Sequence, residues 1–167
     1  MIQIEKILFP TDFSDHSNHA LDYAIEFAKR FRAKIILTHI VAVPTYIASY
    51  EINVDLTSMR ETLVESAEKM LDELTRKLLA QGVESETHTA IGNSFVEIVR
   101  LAKEQNVDLI ILGTHGWGAL KHLLLGSTAE RVVRKAPCPV LTVHNPQHEF
   151  VHPSELTESK TTLALSN

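Results

Sequence analysis

Cysteine is nearly missing: Cys138 stands alone among 167 residues. One thiol cannot close an internal disulfide, so the fold must rest on its apolar core, and the chain suits a reducing compartment. Glycine and proline are sparse, at six each, which excludes collagen-like and low-complexity architectures. No run approaches the roughly 18 consecutive apolar residues of a membrane span. The start, Met1-Ile2-Gln3-Ile4-Glu5-Lys6, has an acid where a secretory leader wants basic residues and then a long apolar stretch. A cytoplasmic domain is expected. Basic charge is also short: 16 Lys and Arg against 21 Asp and Glu give −5. That is the wrong sign for a general nucleic-acid binder, which neutralises phosphates with a basic surface.

What is present is ordinary globular material, 44% hydrophobic and 22% charged. A chain of this length should bury about 70% of its unfolded surface and form one core without disulfide or metal. The domain is expected over residues 1–144. The tail, 145–167, is rich in Ser, Thr, Glu and Pro and is expected to stay unstructured.

Short apolar runs alternate with amphipathic stretches. Ile4 to Phe9, stopped by Pro10, reads as a buried strand. Ser14 can cap a helix whose apolar face is Ala20, Ala24, Phe27, Ala28 and Phe31. Ala33 to Val43 is a second strand. A second helix carries Leu63, Ala67, Met70, Leu71, Leu74 and Leu78 on one face, with Gly82 placed to end it. Val83 to Ile91 alternates Glu, Thr and His, as a sheet edge would. After the break at Gly92-Asn93, Ser94-Phe95-Val96-Glu97 fits a capping box. Val107 to Leu112 is the clearest buried strand, and Val140 to Val143 is the last. The order βαβαβαβαβ specifies an α/β fold with an open five-stranded parallel sheet and helices on both faces.

In such a sheet, ligands lie beyond the carboxyl ends of the strands, near the point where strand order reverses. The loops after the first and fourth strands are the loaded ones: Pro10-Thr11-Asp12-Phe13-Ser14, and Gly113-Thr114-His115-Gly116-Trp117-Gly118 followed by Gly126-Ser127-Thr128. Gly113 and Gly116 could turn backbone N–H groups inward to cradle a phosphate, or could simply make turns. Ser127 or Thr128 could cap the following helix, whose N-terminus could equally hold an anion. Residues 113–135 carry four cations and one anion, a net +3 against −8 for the remainder. This basic segment could attract a small anion or could complement a helix C-terminus. Neither Gly-x-x-x-x-Gly-Lys-Ser/Thr nor Gly-x-Gly-x-x-Gly after the first strand is present, so neither standard nucleotide fingerprint applies.

The spacing Gly113-x2-Gly116-x9-Gly126-Ser127 resembles the signature of the ATP-binding members of the universal stress protein family. Ile7-Leu8-Phe9-Pro10-Thr11-Asp12-Phe13-Ser14, His39-Ile40-Val41 and Pro137-Cys138-Pro139-Val140-Leu141-Thr142-Val143 are similar to its first, second and fifth strands. The resemblance runs from Gln3 to His144. It implies a Rossmann-like sheet of order 3-2-1-4-5 and a cytoplasmic ATP-binding regulatory module in a stress response. By the same resemblance Asp12 would accept from the ribose hydroxyls. Pro10, Thr11, Ile40 and Leu112 would line the adenine, and Gly113, His115, Gly116, Gly126, Ser127 and Thr128 would surround the phosphates. The family dimerises through an edge strand, which would make Val140 to Val143 the seam of a homodimer. ATP hydrolysis, if any, should be slow, because no aligned base and no strong charge neutralisation are evident. The alternatives are a nucleotide hydrolase or transferase using Lys121 or Arg131, and a scaffold working through protein partners without nucleotide.

Other residues invite chemistry but read more simply. His16 and His19 share a helix turn, yet no further ligands converge with them in the pattern of a metal site. Mg²⁺ or Mn²⁺, if present, would be held by the nucleotide's own phosphates. Cys138, between two prolines, reads as a small buried residue rather than a nucleophile. Tyr46 and Tyr50 could stack on a ligand or pack their long loop. Trp117 could close over a triphosphate or cover the core.

Overall fold

The computed structural model describes residues 2–42, 56–114 and 125–144. Tyr46, Tyr50, His115, Gly116, Trp117, Lys121 and the 145–167 tail lie outside the described residues. The elements are β1 Lys6–Pro10, α1 Asp15–Phe31, β2 Lys34–Val41, α2 Leu56–Ala80, β3 Ser85–Ile91, α3 Ser94–Glu104, β4 Leu109–Gly113, α4 Ser127–Lys135 and β5 Val140–Val143. Every strand pair is parallel, and the sheet order is β3-β2-β1-β4-β5. This is the expected α/β sheet of order 3-2-1-4-5.

Alternation along the central strands divides the core into two layers. Ile7, Phe9, Ile35, Leu37, Leu109 and Ile111 pack with α1 and α2 residues such as Leu21, Ala24, Leu71 and Leu78. Leu8, Ile36, Ile110 and Leu112 turn the other way, onto Ile98 and Leu101 of α3 and Ala129 and Val132 of α4. β1 and β4 are therefore apolar at almost every position because both of their faces are covered. Each fully buried Leu or Ile stabilises the fold by roughly 1.5–3 kcal/mol through area removed from water. β3 is the polar edge strand, and its Glu86 pairs with Lys34 of β2 at 2.5 Å.

Local chemistry explains most element ends. Ser14 caps α1, its Oγ accepting from Ser17 N–H at 3.2 Å. Gly82, at φ 75°, turns the chain out of α2 in the left-handed region that glycine favours. Three expectations shift. Asn93, not Ser94, caps α3: Asn93 is extended and its Oδ1 accepts from Val96 N–H at 3.4 Å, while Ser94 is already helical. Leu63 and Met70 are 38% and 40% exposed, because α2 lies over β3 and β2 at one side of the sheet and buries only a narrow stripe of Ala67, Leu71 and Leu78. Phe31, the last residue of α1, is 39% exposed where its helix runs out.

Candidate functional site

β1 and β4 are neighbours, but the chain leaves them in opposite directions, toward β2 and toward β5. That is the point where strand order reverses. Backbone bookkeeping shows why the two strands part there. Glu5 C=O accepts from Lys34 N–H on the β2 side, and Lys6 C=O accepts from Asp108 N–H on the β4 side. Odd residues of β1 thus address β2 and even residues address β4. Pro10 is even and has no N–H to offer. The β1–β4 register pairs Ile7 with Leu109 and Leu8 with Ile110, while the β1–β2 register continues to Pro10 opposite Thr38. The crevice between β1 and β4 opens at the proline.

The residues after Pro10 form a tightly bonded turn. Thr11 N–H donates to Thr38 C=O at 2.8 Å, and Thr11 Oγ1 accepts from Phe13 N–H at 3.0 Å and from Ser17 Oγ at 2.9 Å. Asp12 Oδ1 accepts from both Ser14 N–H, at 3.1 Å, and Ser14 Oγ, at 2.6 Å. This Asx-type turn fixes the carboxylate's orientation at the helix start, where the macrodipole favours negative charge. Phe13 sits at φ 62°, a strained setting for a residue with a side chain. Its ring stacks on His39 of β2 at 4.7 Å between centroids, and His39 Nδ1 lies 2.8 Å from Thr11 C=O. Sequence reading did not place His39 at this site. Only the β1–β2 register, which sets Pro10 opposite Thr38, brings the next residue of β2 to the turn.

Ile40 and Leu112 are buried together with Leu8 in the layer beneath α3 and α4, near the carboxyl ends of β2 and β4. Gly113 pairs with Val143 of β5. Thr114 N–H then donates to Val143 C=O at 3.0 Å, and Thr114 C=O accepts from Gly126 N–H at 2.7 Å. That last bond pins the start of α4 to the end of β4. Gly126 takes the cap position, so neither Ser127 nor Thr128 caps α4 as expected; Ser127 is the first helical residue. A glycine cap brings no side-chain acceptor to the first-turn N–H groups, which leaves that end suited to an outside acceptor. The described structure thus gathers Pro10, Thr11, Asp12, Gly113, Gly126, Ser127 and Thr128 at strand and helix ends bordering the switch point. His115 and Gly116 lie outside the described residues.

The basic segment resolves differently. Arg134 and Lys135 occupy the last turn of α4, complementing its C-terminal dipole. They lie at the far end of the helix from Gly126, roughly 13 Å along its axis. Cys138 is half-buried against the α3/α4 layer, and burial, helped by the Asp108 carboxylate, pushes its thiol up from the ordinary value. Such a thiol is a poor nucleophile. Among the described residues no group of three or more His, Cys, Asp or Glu could hold a metal ion, and no helix is long and apolar enough to cross a membrane.

Comparison with known proteins follows the same outline. The profile of the Universal stress protein family matches residues 3–144. Universal stress protein MJ0531 of Methanocaldococcus jannaschii is 38% identical over 150 residues, covering 87% of this chain and 85% of its own. The solved structure of MJ0577, from the same organism, superposes with a TM-score of 0.77 at 31% identity, covering 86% of this chain and 98% of its own. A universal stress protein solved in complex with cAMP has a TM-score of 0.61 at 26% identity, with 85% and 98% coverage. Profile, identity and sheet order agree, and the chain belongs to the universal stress protein family.

Proposed function

We propose that this protein binds ATP at the β1/β4 crevice and acts in the cytoplasm as a regulatory nucleotide-binding module in the stress response. The observation that carries this reading is the pair of walls at the switch point. On one side the Asp12 carboxylate is held in its turn by Ser14, and on the other the Gly126 end of α4 is tied to Thr114. The walls suit the parts of the nucleotide in turn. Asp12 is an acceptor for ribose hydroxyls. Ile40 and Leu112, with Pro10 and Thr11, offer an apolar side for adenine. The uncapped first turn of α4, with Ser127, Thr128 and the Gly113-x2-Gly116 segment that includes His115, offers donors for phosphates. The cAMP complex of a relative adds support, since cAMP shares the adenine, ribose and phosphate chemistry.

The reading favours binding over turnover. Fast phosphoryl transfer needs an oriented nucleophile and strong charge neutralisation, whereas Asp12 Oδ1 is held in its turn by Ser14 and two of the segment's four cations, Arg134 and Lys135, sit at the far end of α4. A Mg²⁺ or Mn²⁺ ion would enter on the phosphates, with water completing its shell. β5 is an edge strand with apolar Val140, Leu141 and Val143, and a second copy of the chain adding strand to strand there would form the homodimer.

The test begins with the purified protein, denatured to release any nucleotide for identification. ATP is then titrated against wild type and Gly116→Val. ATP bound by wild type and lost in the variant is the expected result. No released nucleotide and no binding of added ATP would overturn the proposal and turn attention to protein partners at the β5 edge.

A further inference from the structure

We infer that His39 is a positioning residue for the nucleotide site, clamping the Thr11–Asp12 peptide so that Asp12 faces the β1/β4 crevice; this deepens the nucleotide reading above and rests on it. Three observations converge on the imidazole. Its Nδ1 lies 2.8 Å from Thr11 C=O. A carbonyl oxygen can only accept, so Nδ1 carries the proton and donates. Its ring stacks on Phe13 at 4.7 Å, with 29° between the planes. Phe13 is held at φ 62°, a conformation that costs about 1–2 kcal/mol for a residue with a Cβ and persists only under outside restraint.

The consequence follows from peptide geometry. The described chain has no cis peptide, so the C=O of Thr11 and the N–H of Asp12 point in opposite directions across one planar unit. Thr11 N–H is bonded to Thr38 C=O and Thr11 C=O to His39, both in β2. With the Thr11 carbonyl fixed on that side, the Asp12 N–H is turned away from β2, toward the side on which β4 lies. Asp12 Oδ1 is then tied down by Ser14 one step later. His39 thus sets the peptide plane through its Nδ1–H and Ser14 sets the carboxylate, while the ring stack on Phe13 accompanies that hydrogen bond.

Two variants separate the two contacts. His39→Asn keeps a donor at the position of Nδ1 and loses the stack, while His39→Phe keeps a stacking ring and loses the donor. ATP dissociation constants are measured by calorimetry for both and for wild type, with thermal melts to confirm that each variant is folded. Amide hydrogen exchange at Phe13, whose N–H is bonded to Thr11 Oγ1, reports opening of the turn without any ligand. Loss of one positioning hydrogen bond should weaken ATP binding by His39→Phe about tenfold and speed Phe13 exchange by a similar factor. His39→Asn should recover most of both losses, which a merely space-filling histidine would not allow. Wild-type affinity in His39→Phe, or no recovery in His39→Asn, overturns the inference. If wild type binds no ATP, the nucleotide reading itself falls. The clamp is then judged on exchange alone: faster exchange in His39→Phe reversed in His39→Asn supports it, and unchanged exchange overturns it.

Discussion

Replacing Asp12 with asparagine separates its charge from its hydrogen-bonded turn. Asparagine keeps a carbonyl oxygen where Oδ1 stands, so the bonds from Ser14 N–H at 3.1 Å and Ser14 Oγ at 2.6 Å can persist. The second oxygen becomes an NH₂ group, a donor where a ribose hydroxyl needs an acceptor. Hydrogen bonds to charged groups contribute about 1.5–3 kcal/mol and neutral ones about half of that. Asp12→Asn should therefore weaken ATP binding by about tenfold, or ~1.4 kcal/mol. Asp12→Ala should lose at least as much affinity and, in addition, both Ser14 bonds. Loss of a helix-start acceptor costs roughly 0.5–2 kcal/mol, whereas asparagine keeps the two Ser14 bonds and gives up the charge–dipole part, roughly 0.3–1 kcal/mol. For a domain of this size each kcal/mol lowers Tm by about 2–4 °C. The expected pattern is two variants alike in weakened affinity, with the alanine variant melting lower. Calorimetric titration with ATP and melts followed by circular dichroism read both quantities. Wild-type affinity in Asp12→Asn would refute the ribose contact, and equal melting of the two variants would refute the turn as a structural device.

Three further outcomes follow from packing and local geometry. Asn93→Ala should destabilise the protein by about 0.5–2 kcal/mol through loss of the α3 cap, while Ser94→Ala should be near neutral; urea unfolding that ranks them the other way would reassign the cap. Gly92→Ala should cost about 1–3 kcal/mol, since φ is 154° and an added Cβ would stand 3.3 Å from Glu97, whose carboxylate is held by Arg100; an unchanged urea midpoint would contradict this. Cys138 should alkylate more slowly in the native protein than in the urea-unfolded chain at pH 8. Its raised pKa leaves less thiolate there, and the rate should climb as pH rises above the ordinary thiol value. Equal native and unfolded rates would show the thiol to be unshielded.

The sheet was legible because its signal is repetitive. Unbroken apolar runs such as Leu109 to Leu112, separated by stretches of helical period, specify buried parallel strands and crossovers with little ambiguity. Ser14 was legible for a related reason: one capping residue stands between a strand and an amphipathic stretch. Ambiguity entered where two suitable residues adjoin. Asn93 and Ser94 can both cap, and the choice fell to the extended backbone after Gly92. Gly126, Ser127 and Thr128 posed the same problem, and the bond from Gly126 N–H to Thr114, a tertiary contact, decided it. His39 was invisible as a site residue because its neighbours in space, Thr11 and Phe13, belong to another strand's loop. The basic segment stayed ambiguous for the same reason: counted along the chain its cations cluster with the glycines, and it is α4 that carries two of them, Arg134 and Lys135, to the helix end away from Gly126.

The 2.7 Å bond between Gly126 N–H and Thr114 C=O also bears on how this chain can change. It holds residue 126, at the start of α4, directly against residue 114, at the end of the sheet. Closing a longer loop between fixed ends costs little, about 0.6 kcal/mol for each doubling of its length. Because the bond joins the two ends directly, added length between residues 114 and 126 should leave strand pairing and the seat of α4 nearly unchanged.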